Sequence, residues 1–319
     1  MMEPISKDLA GWQFSRDAEG IVVAALDLPG KVNIMNDDFI AAMESLLNEL
    51  EGSRDYAGVV LTSAKPVFLA GGDLKRMVLS APGQEAQLFD YFQQLKSYLR
   101  RIERLNRPTV AAINGSALGG GYETCLACHH RIALREPRLR IGLPEIEFGI
   151  LAGAGGVVRL TRLLGFERAM PYLTEGRLED VMGALDNRLV DELADDPQQL
   201  LDKAKAWIRA HPQARQPWDK PDNAVPAHRL TALQRRALMM EPARLARAMS
   251  GHPALFAAQR NMALAAESLN MDFDAALRYE TRVLIELLRT DYARDRMQAF
   301  LDRKTPRSTS ATQTEQSTA

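Results

Sequence analysis

Two glutamates and a run of glycines carry the features of this 319-residue chain that could do chemistry. Glu123 and Glu145 stand 22 positions apart. Glu123 follows Gly119-Gly120-Gly121 and falls in the first turn of what reads as a helix over 122–128. Ahead of the glycines, Thr109-Val110-Ala111-Ala112-Ile113 reads as a short buried strand, ended by Asn114-Gly115. A strand that runs through glycines into a helix leaves bare N–H groups at the helix start. Those groups, with the helix dipole behind them, favour a negative oxygen. Glycine also lets a ligand come close to the backbone. Glu145 follows the turn-forming Gly142-Leu143-Pro144, after a β-excursion over 131–141. An oxyanion-binding helix start beside two carboxylates suits acid–base chemistry next to a carbonyl. The plainer alternative is that the glycines are a turn and Glu123 a surface residue stabilising a helix dipole.

These residues need elements to hold them. Residues 21–28 (IVVAALDL) read as a strand closed by Pro29-Gly30. Residues 37–50 read as a helix with Asp37 as N-cap and Phe39, Met43, Leu46 and Leu47 at helical spacing. A buried strand is expected over 59–62, a loop over 68–73 and a helix start at Leu74. The apolar stripe of 86–105 predicts a core-facing helix. Further helices are expected over 153–164, in two pieces within 166–194, and over 197–210. Strands alternating with helices imply βαβ units and a mainly parallel sheet, hence an α/β fold. No internal sequence repeat is visible. Residues 211–226 hold four prolines and read as a linker, and 230–248, 255–269, 273–288 and 292–301 as a run of helices. Past them, a tail rich in Ser, Thr and Gln reads as disordered. The expected division is a domain over 1–210, the linker, a C-terminal helical segment over 227–303 and the tail over 304–319.

Composition removes several function classes. A net charge of −1 gives no global basic field for nucleic acid. The N-terminal MMEPISKDLAGWQF has no apolar signal core, and no stretch approaches the roughly 18 apolar residues of a membrane span. A cytoplasmic location is therefore expected. Cys125, Cys128 and His129 match the haem c attachment pattern, but that reading needs export to an oxidising compartment. Zinc would need four good ligands, so the two cysteines read as small apolar side chains on a buried helix face. Gly153-Ala154-Gly155-Gly156 is not a dinucleotide fingerprint, because Val158 stands where the third glycine is required. No phosphate-loop Lys-Ser/Thr follows either glycine cluster, so neither NAD nor ATP is implied, and no cofactor or metal is expected.

Three blocks together resemble the crotonase (enoyl-CoA hydratase/isomerase) superfamily, and within it the hydratase part of the fatty-acid-oxidation multifunctional proteins. Residues 59–77 (VVLTSAKPVFLAGGDLKRM) resemble its oxyanion and CoA-binding loop. Residues 114–123 (NGSALGGGYE) resemble its second oxyanion block, and residues 139–162 its second catalytic block. The likeness runs from about Gly20 to about Glu192. Near the C-terminus, MDFDAALRYETRVLIELL more weakly resembles the segment that leads out of, or back onto, the hydratase domain in those proteins.

The resemblance implies a ββα spiral core over 1–210, with the C-terminal helical segment added to it. It implies oxyanion donors at the Gly72 and Gly120 N–H groups. It makes Glu123 the residue that orients and activates water, and Glu145 the partner in proton transfer at C2. Leu69, Ala70 and Leu74 are expected along the adenine or pantetheine side, with Asp73, Gly119 and Pro144 also at the substrate. Lys75 and Lys31 are candidates for the CoA phosphates. Tyr122 is expected either to narrow the acyl pocket or to pack in the core. Several positions depart from the family pattern: His129 stands where Asp is common, the hairpin LREPRLRI between the carboxylates differs in length, Ala152 replaces a common Pro, and Val157-Val158 replace more polar residues. The activity implied is hydration of 2-trans-enoyl-CoA, with CoA as part of the substrate. The alternatives are a Δ3,Δ2-enoyl-CoA isomerase, which can manage with Glu145 alone, or a non-catalytic subunit docking a separate 3-hydroxyacyl-CoA dehydrogenase. A homo-trimer or hexamer is expected unless the C-terminal helices fold back on their own domain.

Overall fold

Among the described residues, ten strands form two sheets. The computed structural model describes residues 5–53, 55–220 and 230–304. In chain order the strands are β1 (Ile5–Leu9), β2 (Trp12–Arg16), β3 (Ile21–Leu26), β4 (Gly58–Ser63), β5 (Thr109–Ile113), β6 (Ala117–Leu118), β7 (His130–Leu134), β8 (Ile141–Gly142), β9 (Leu178–Glu179) and β10 (Glu192–Ala194). Seven of them form one sheet in the order β1-β2-β3-β4-β5-β7-β10, and β6, β8 and β9 form a small second sheet. The large sheet is antiparallel from β1 to β3 and parallel from β3 to β10.

The helices are α1 (Asp37–Gly52), α2 (Leu74–Leu79), α3 (Glu85–Glu103), α4 (Gly120–Ala127), α5 (Gly156–Leu164), α6 (Phe166–Thr174), α7 (Val181–Asp186), α8 (Pro197–Ala210), α9 (Ala232–Ala248), α10 (Leu255–Ser268), α11 (Phe273–Leu288) and α12 (Asp291–Lys304). A short 3-10 turn spans Pro144–Phe148 and another Pro217–Asp219. The N-cap of α1 is Asn36 rather than the expected Asp37. Asn36 has an extended backbone and its side chain accepts the Phe39 N–H, so Asp37 and Asp38 complete the acidic first turn.

The central strands read as unbroken apolar runs because both faces of the sheet are covered. Val60, Val110, Ala112 and Ile132 face Leu200, Ala204 and Ile208 of α8. Val59, Leu61, Ala111, Ile113 and Ala133 face the main core, which extends through α3, α4 and α5. Cys125 and Cys128 are free thiols inside that core.

The repeat that the sequence hides is geometric. β5 is followed by β6 in the second sheet and then α4, and β7 is followed by β8, the Pro144–Phe148 turn and α5. Each unit therefore crosses from one sheet to the other before its helix. The stretch LREPRLRI is that crossing and not a hairpin. β7 pairs in parallel with β5 and β10, while β8 pairs in parallel with β6 and antiparallel with β9.

The C-terminal helices fold back on their own chain. α10 packs on α5 and α6, α11 on α3 and α5, and α12 on α2 and the Pro144–Phe148 turn. The same apolar core takes in Val22 of β3, Leu284 of α11 and Met297 of α12, so the helices after residue 229 share the core of the rest. Within the stretch read as a linker, Trp218 is buried with its ring stacked on Phe273 of α11 at 5.0 Å, and Asp219 pairs with Arg100 of α3 at 2.7 Å. The last part of that stretch, 221–226, and the tail over 305–319 lie outside the described residues. Among the described residues, no helix is long and apolar enough to cross a membrane.

Candidate active site

The pairing of β6 with β8 explains how two glutamates 22 positions apart in sequence meet. The strands run in parallel, with Leu118 opposite Gly142, and each then turns into a segment bearing one carboxylate. The Gly119 N–H donates to the Gly142 carbonyl at 2.9 Å, closing the gap between the two turns. Gly119 has φ of 54°, and a Cβ there would stand 2.3 Å from Glu145 Oε1. Glycine at 119 thus supplies the left-handed turn into α4 and the space that Glu145 occupies.

A neighbouring approach builds the candidate oxyanion site. Leu69 bridges to Ala117, and the Leu118 N–H donates to the Leu69 carbonyl at 3.2 Å. A Cβ on Gly121 would lie 2.1 Å from that same carbonyl oxygen, so only glycine lets the two segments come this close. The contact brings the loop carrying Gly72 beside the N-terminus of α4 carrying Gly120, and both glycines line one cavity. Among the described residues, neither the Gly72 nor the Gly120 N–H donates to a protein acceptor. At Gly120 this is the ordinary state of a first-turn N–H.

The cavity has a volume of about 510 Å³ and a mostly apolar wall. Glu123 and Glu145 both reach it. Glu123 is 3% exposed, and its Oε1 accepts the Ala154 N–H at 2.7 Å and the Gly156 N–H at 2.6 Å, both from the entry to α5. The glycine loop 153–156 is therefore a carboxylate holder. Burial pushes the Glu123 carboxyl well above the usual range, and the nearby charges of Glu145 and Glu280 push it the same way, against the two N–H bonds. Burial likewise pushes Glu145 up to about 7, and its buried Oε2 has no hydrogen-bond partner among the described residues. Two such carboxyls titrate as one unit, and burial pushes both toward the protonated form. A pair that shares a proton can serve as acid and base together.

Ten of the twelve residues named from sequence lie on this cavity: Glu123, Glu145, Gly72, Gly120, Ala70, Asp73, Leu74, Lys75, Gly119 and Pro144. Leu69 and Tyr122 do not. Leu69 is fully buried and takes part through its carbonyl, as above. Tyr122 is fully buried, and its hydroxyl donates to the Leu189 carbonyl at 2.8 Å, so of its two expected places it takes the core. Lys75 is exposed at the cavity rim, whereas Lys31 is exposed away from the wall. Sequence reasoning missed two groups of wall residues. Met35 and Ile34 come from the loop after β3, which carries no pattern of its own. Leu284, Phe300 and Leu301 come from α11 and α12, where the apolar spacing predicts a buried face but not which cavity it closes.

The comparisons agree with this geometry. The profile of the Enoyl-CoA hydratase/isomerase family matches residues 16–217. A curated relative, the fatty acid oxidation complex subunit alpha of Idiomarina loihiensis, is 36% identical over 199 residues, which is 62% of this chain and 27% of that protein. The chain thus spans about a quarter of that relative's length. Among solved structures, human mitochondrial delta3-delta2-enoyl-CoA isomerase superposes with a TM-score of 0.66 at 25% identity, covering 92% of this chain and 97% of the other. Enoyl-CoA hydratase from Bacillus halodurans superposes with a TM-score of 0.65 at 23% identity, covering 91% and 99%, and shows the same fold. Its α/β spiral core, its cavity and the match across 16–217 make this chain a member of the enoyl-CoA hydratase/isomerase family, of the crotonase superfamily.

Proposed function

We propose that the protein is an enoyl-CoA hydratase, adding water across the C2=C3 bond of a 2-trans-enoyl-CoA to give a 3-hydroxyacyl-CoA. The observation that carries this reading is the pair of buried carboxylates on one apolar cavity, beside two backbone N–H groups with no protein acceptor. In the reaction the thioester oxygen would lie between the Gly72 and Gly120 N–H groups, which stabilise the enolate charge as it forms. One such donor contributes roughly 3–4 kcal/mol to a barrier of this kind. Glu123 takes a proton from water as its oxygen attacks C3. The two N–H bonds on Glu123 Oε1 oppose the upward push of burial on its carboxyl and hold it in one orientation. Glu145, whose Oε2 is free of protein donors, delivers a proton to C2. Lys75 at the rim suits the CoA phosphates, and the acyl chain takes the apolar wall. We place the reaction in acyl-CoA catabolism on the name of the Idiomarina loihiensis relative.

Isomerisation of a 3-enoyl-CoA needs only one carboxylate to shuttle a proton, and the fold likeness to the human isomerase keeps that reaction as the second reading. Hydration of crotonyl-CoA and of a longer 2-enoyl-CoA, followed by loss of enoyl absorbance, separates the two. The expected result is turnover by the wild type, with a loss of at least about a hundredfold in both Glu123→Ala and Glu145→Ala. A wild type that isomerises 3-enoyl-CoA but hydrates neither substrate would move the assignment to isomerase, and a Glu123→Ala enzyme that hydrates at the full rate would remove Glu123 from the mechanism. Silence on both reactions would leave a CoA-thioester-binding subunit.

A further inference from the structure

Behind the two carboxylates lies a third, which the proposed reaction does not use. Glu280 of α11 is fully buried, and so is Lys96 of α3, its partner at 2.9 Å. Lys96 Nζ also donates to the Leu277 carbonyl at 2.6 Å and to Thr281 Oγ1 at 2.7 Å, which satisfies the ammonium. The other oxygen of Glu280, Oε2, accepts the Val158 N–H at 3.2 Å. Val158 is in the first turn of α5, the same turn whose Gly156 N–H holds Glu123. Two glutamates from different parts of the chain therefore share one helix N-terminus. Glu123 takes the N–H groups facing the cavity, and Glu280 takes one behind them.

A stability role accounts poorly for this arrangement. A buried ion pair rarely outperforms two apolar side chains of the same shape, because both charges are stripped of water. A third carboxylate close to two others adds repulsion as well. The groups facing Glu280 are Lys96 from α3, Glu123 from α4, Glu145 from the Pro144–Phe148 turn and, beyond Lys96, Arg159 from α5. Arg159 steadies the same loop from the other side. Its Nη1 donates to the Ala154 carbonyl at 2.9 Å and its Nε to Glu103 at 2.7 Å.

We propose that Glu280 is a positioning residue for Glu123: it fixes the first turn of α5, whose N–H groups hold the Glu123 carboxylate, and Lys96 is the counter-charge that lets it lie there. The inference rests on the reading that Glu123 is catalytic. It makes the C-terminal helices part of the catalytic apparatus rather than only its cover.

The test uses two double variants of the full chain, each with its fold checked by thermal melting. Lys96→Met with Glu280→Leu removes both charges and the acceptor for Val158. Lys96→Met with Glu280→Gln removes the charges but keeps an acceptor. The expected result is a fall in kcat of roughly tenfold to a hundredfold in the first, with KM little changed, and recovery of most of that loss in the second. The titration of Glu123, read by carbon-13 NMR of labelled glutamate in the free protein, is expected at higher pH in the Leu variant than in the Gln variant, because both lack the same two charges and only the Leu variant loosens the N–H groups that favour the ionised carboxylate. Wild-type kcat in the first variant, with Glu123 titrating alike in the two, overturns the proposal. Should the Leu variant fail to fold, Lys96→Met with Glu280→Met takes its place in the same comparison with the Gln variant, and the same two outcomes decide. That titration needs no turnover, so a wild type inactive on enoyl-CoA would remove the hydratase reading and leave this inference to be judged separately.

Discussion

Glu145 carries a buried oxygen with no hydrogen-bond partner among the described residues, and its burial has a measurable consequence for stability. Burial pushes its carboxyl up to about 7 from an ordinary 4.5. A pKa raised by folding means that the fold favours the protonated form. Its contribution is complete below the unfolded value and is lost as pH rises through the folded one. Glu145→Gln has no charge to gain, so it is expected to match the wild type at about pH 4 and to melt higher at about pH 8, by up to about 3 kcal/mol. Parallel melting curves for the two proteins across that range would show that the carboxyl is not held in a desolvated state. The two glutamates that the cavity brings together were legible in sequence because glycines mark where a carboxylate and bare N–H groups can crowd together. Glu280 was not, since a glutamate inside an apolar helix pattern looks like any other until Val158 and Lys96 are seen around it.

The two-residue strand β6 is the smallest element that the site depends on. It carries Leu118 against the Leu69 carbonyl and Gly119 against Glu145, and it sets the height at which Gly120 begins α4. Gly121→Ala would place a Cβ 2.1 Å from a backbone oxygen, which no side-chain rotation relieves. The expected cost is about 1–3 kcal/mol of stability together with a fall in kcat, as the Gly72 and Gly120 donors are pushed apart. A melting curve and a crotonyl-CoA assay on the same preparation check both parts, and an unchanged melting temperature would contradict the close approach. The long elements were readable from sequence, α3 almost to the residue, because their apolar spacing extends over several turns. β6, β8 and β9 were not, since two residues show no alternation. For the same reason the ββα repeat stayed hidden: its units share a path and not a sequence.

At the scale of the whole molecule, one core runs from β2 to α12. α11 covers the apolar stripe of α3, and α12 closes the cavity with Phe300 set edge-on to Phe148 at 5.2 Å. A chain ending at Lys220 would expose that stripe and leave Lys96 without Glu280. It is expected to show no cooperative melting transition, although it contains the whole of the family match at 16–217. A sharp transition from the truncated chain would show that the core divides. The sequence pointed to a C-terminal helical run folding back as one option. What it lacked was any sign that the run owes its own burial to the earlier helices, because an amphipathic face does not name its partner.

The order of these parts along the chain has a consequence for how the protein is made. A ribosome releases Glu123 and Glu145 well before Glu280, Leu284 and Phe300, and domains tend to fold from the N-terminus as they emerge. The nascent sheet can form and bring the two carboxylates together, yet their pocket lacks a wall until α12 is free. During that interval the apolar stripe of α3 faces water, and a chaperone that reads exposed apolar helices has its opportunity there. The cavity is thus closed only once the helices after residue 229 have been made, by the segment with the weakest family resemblance.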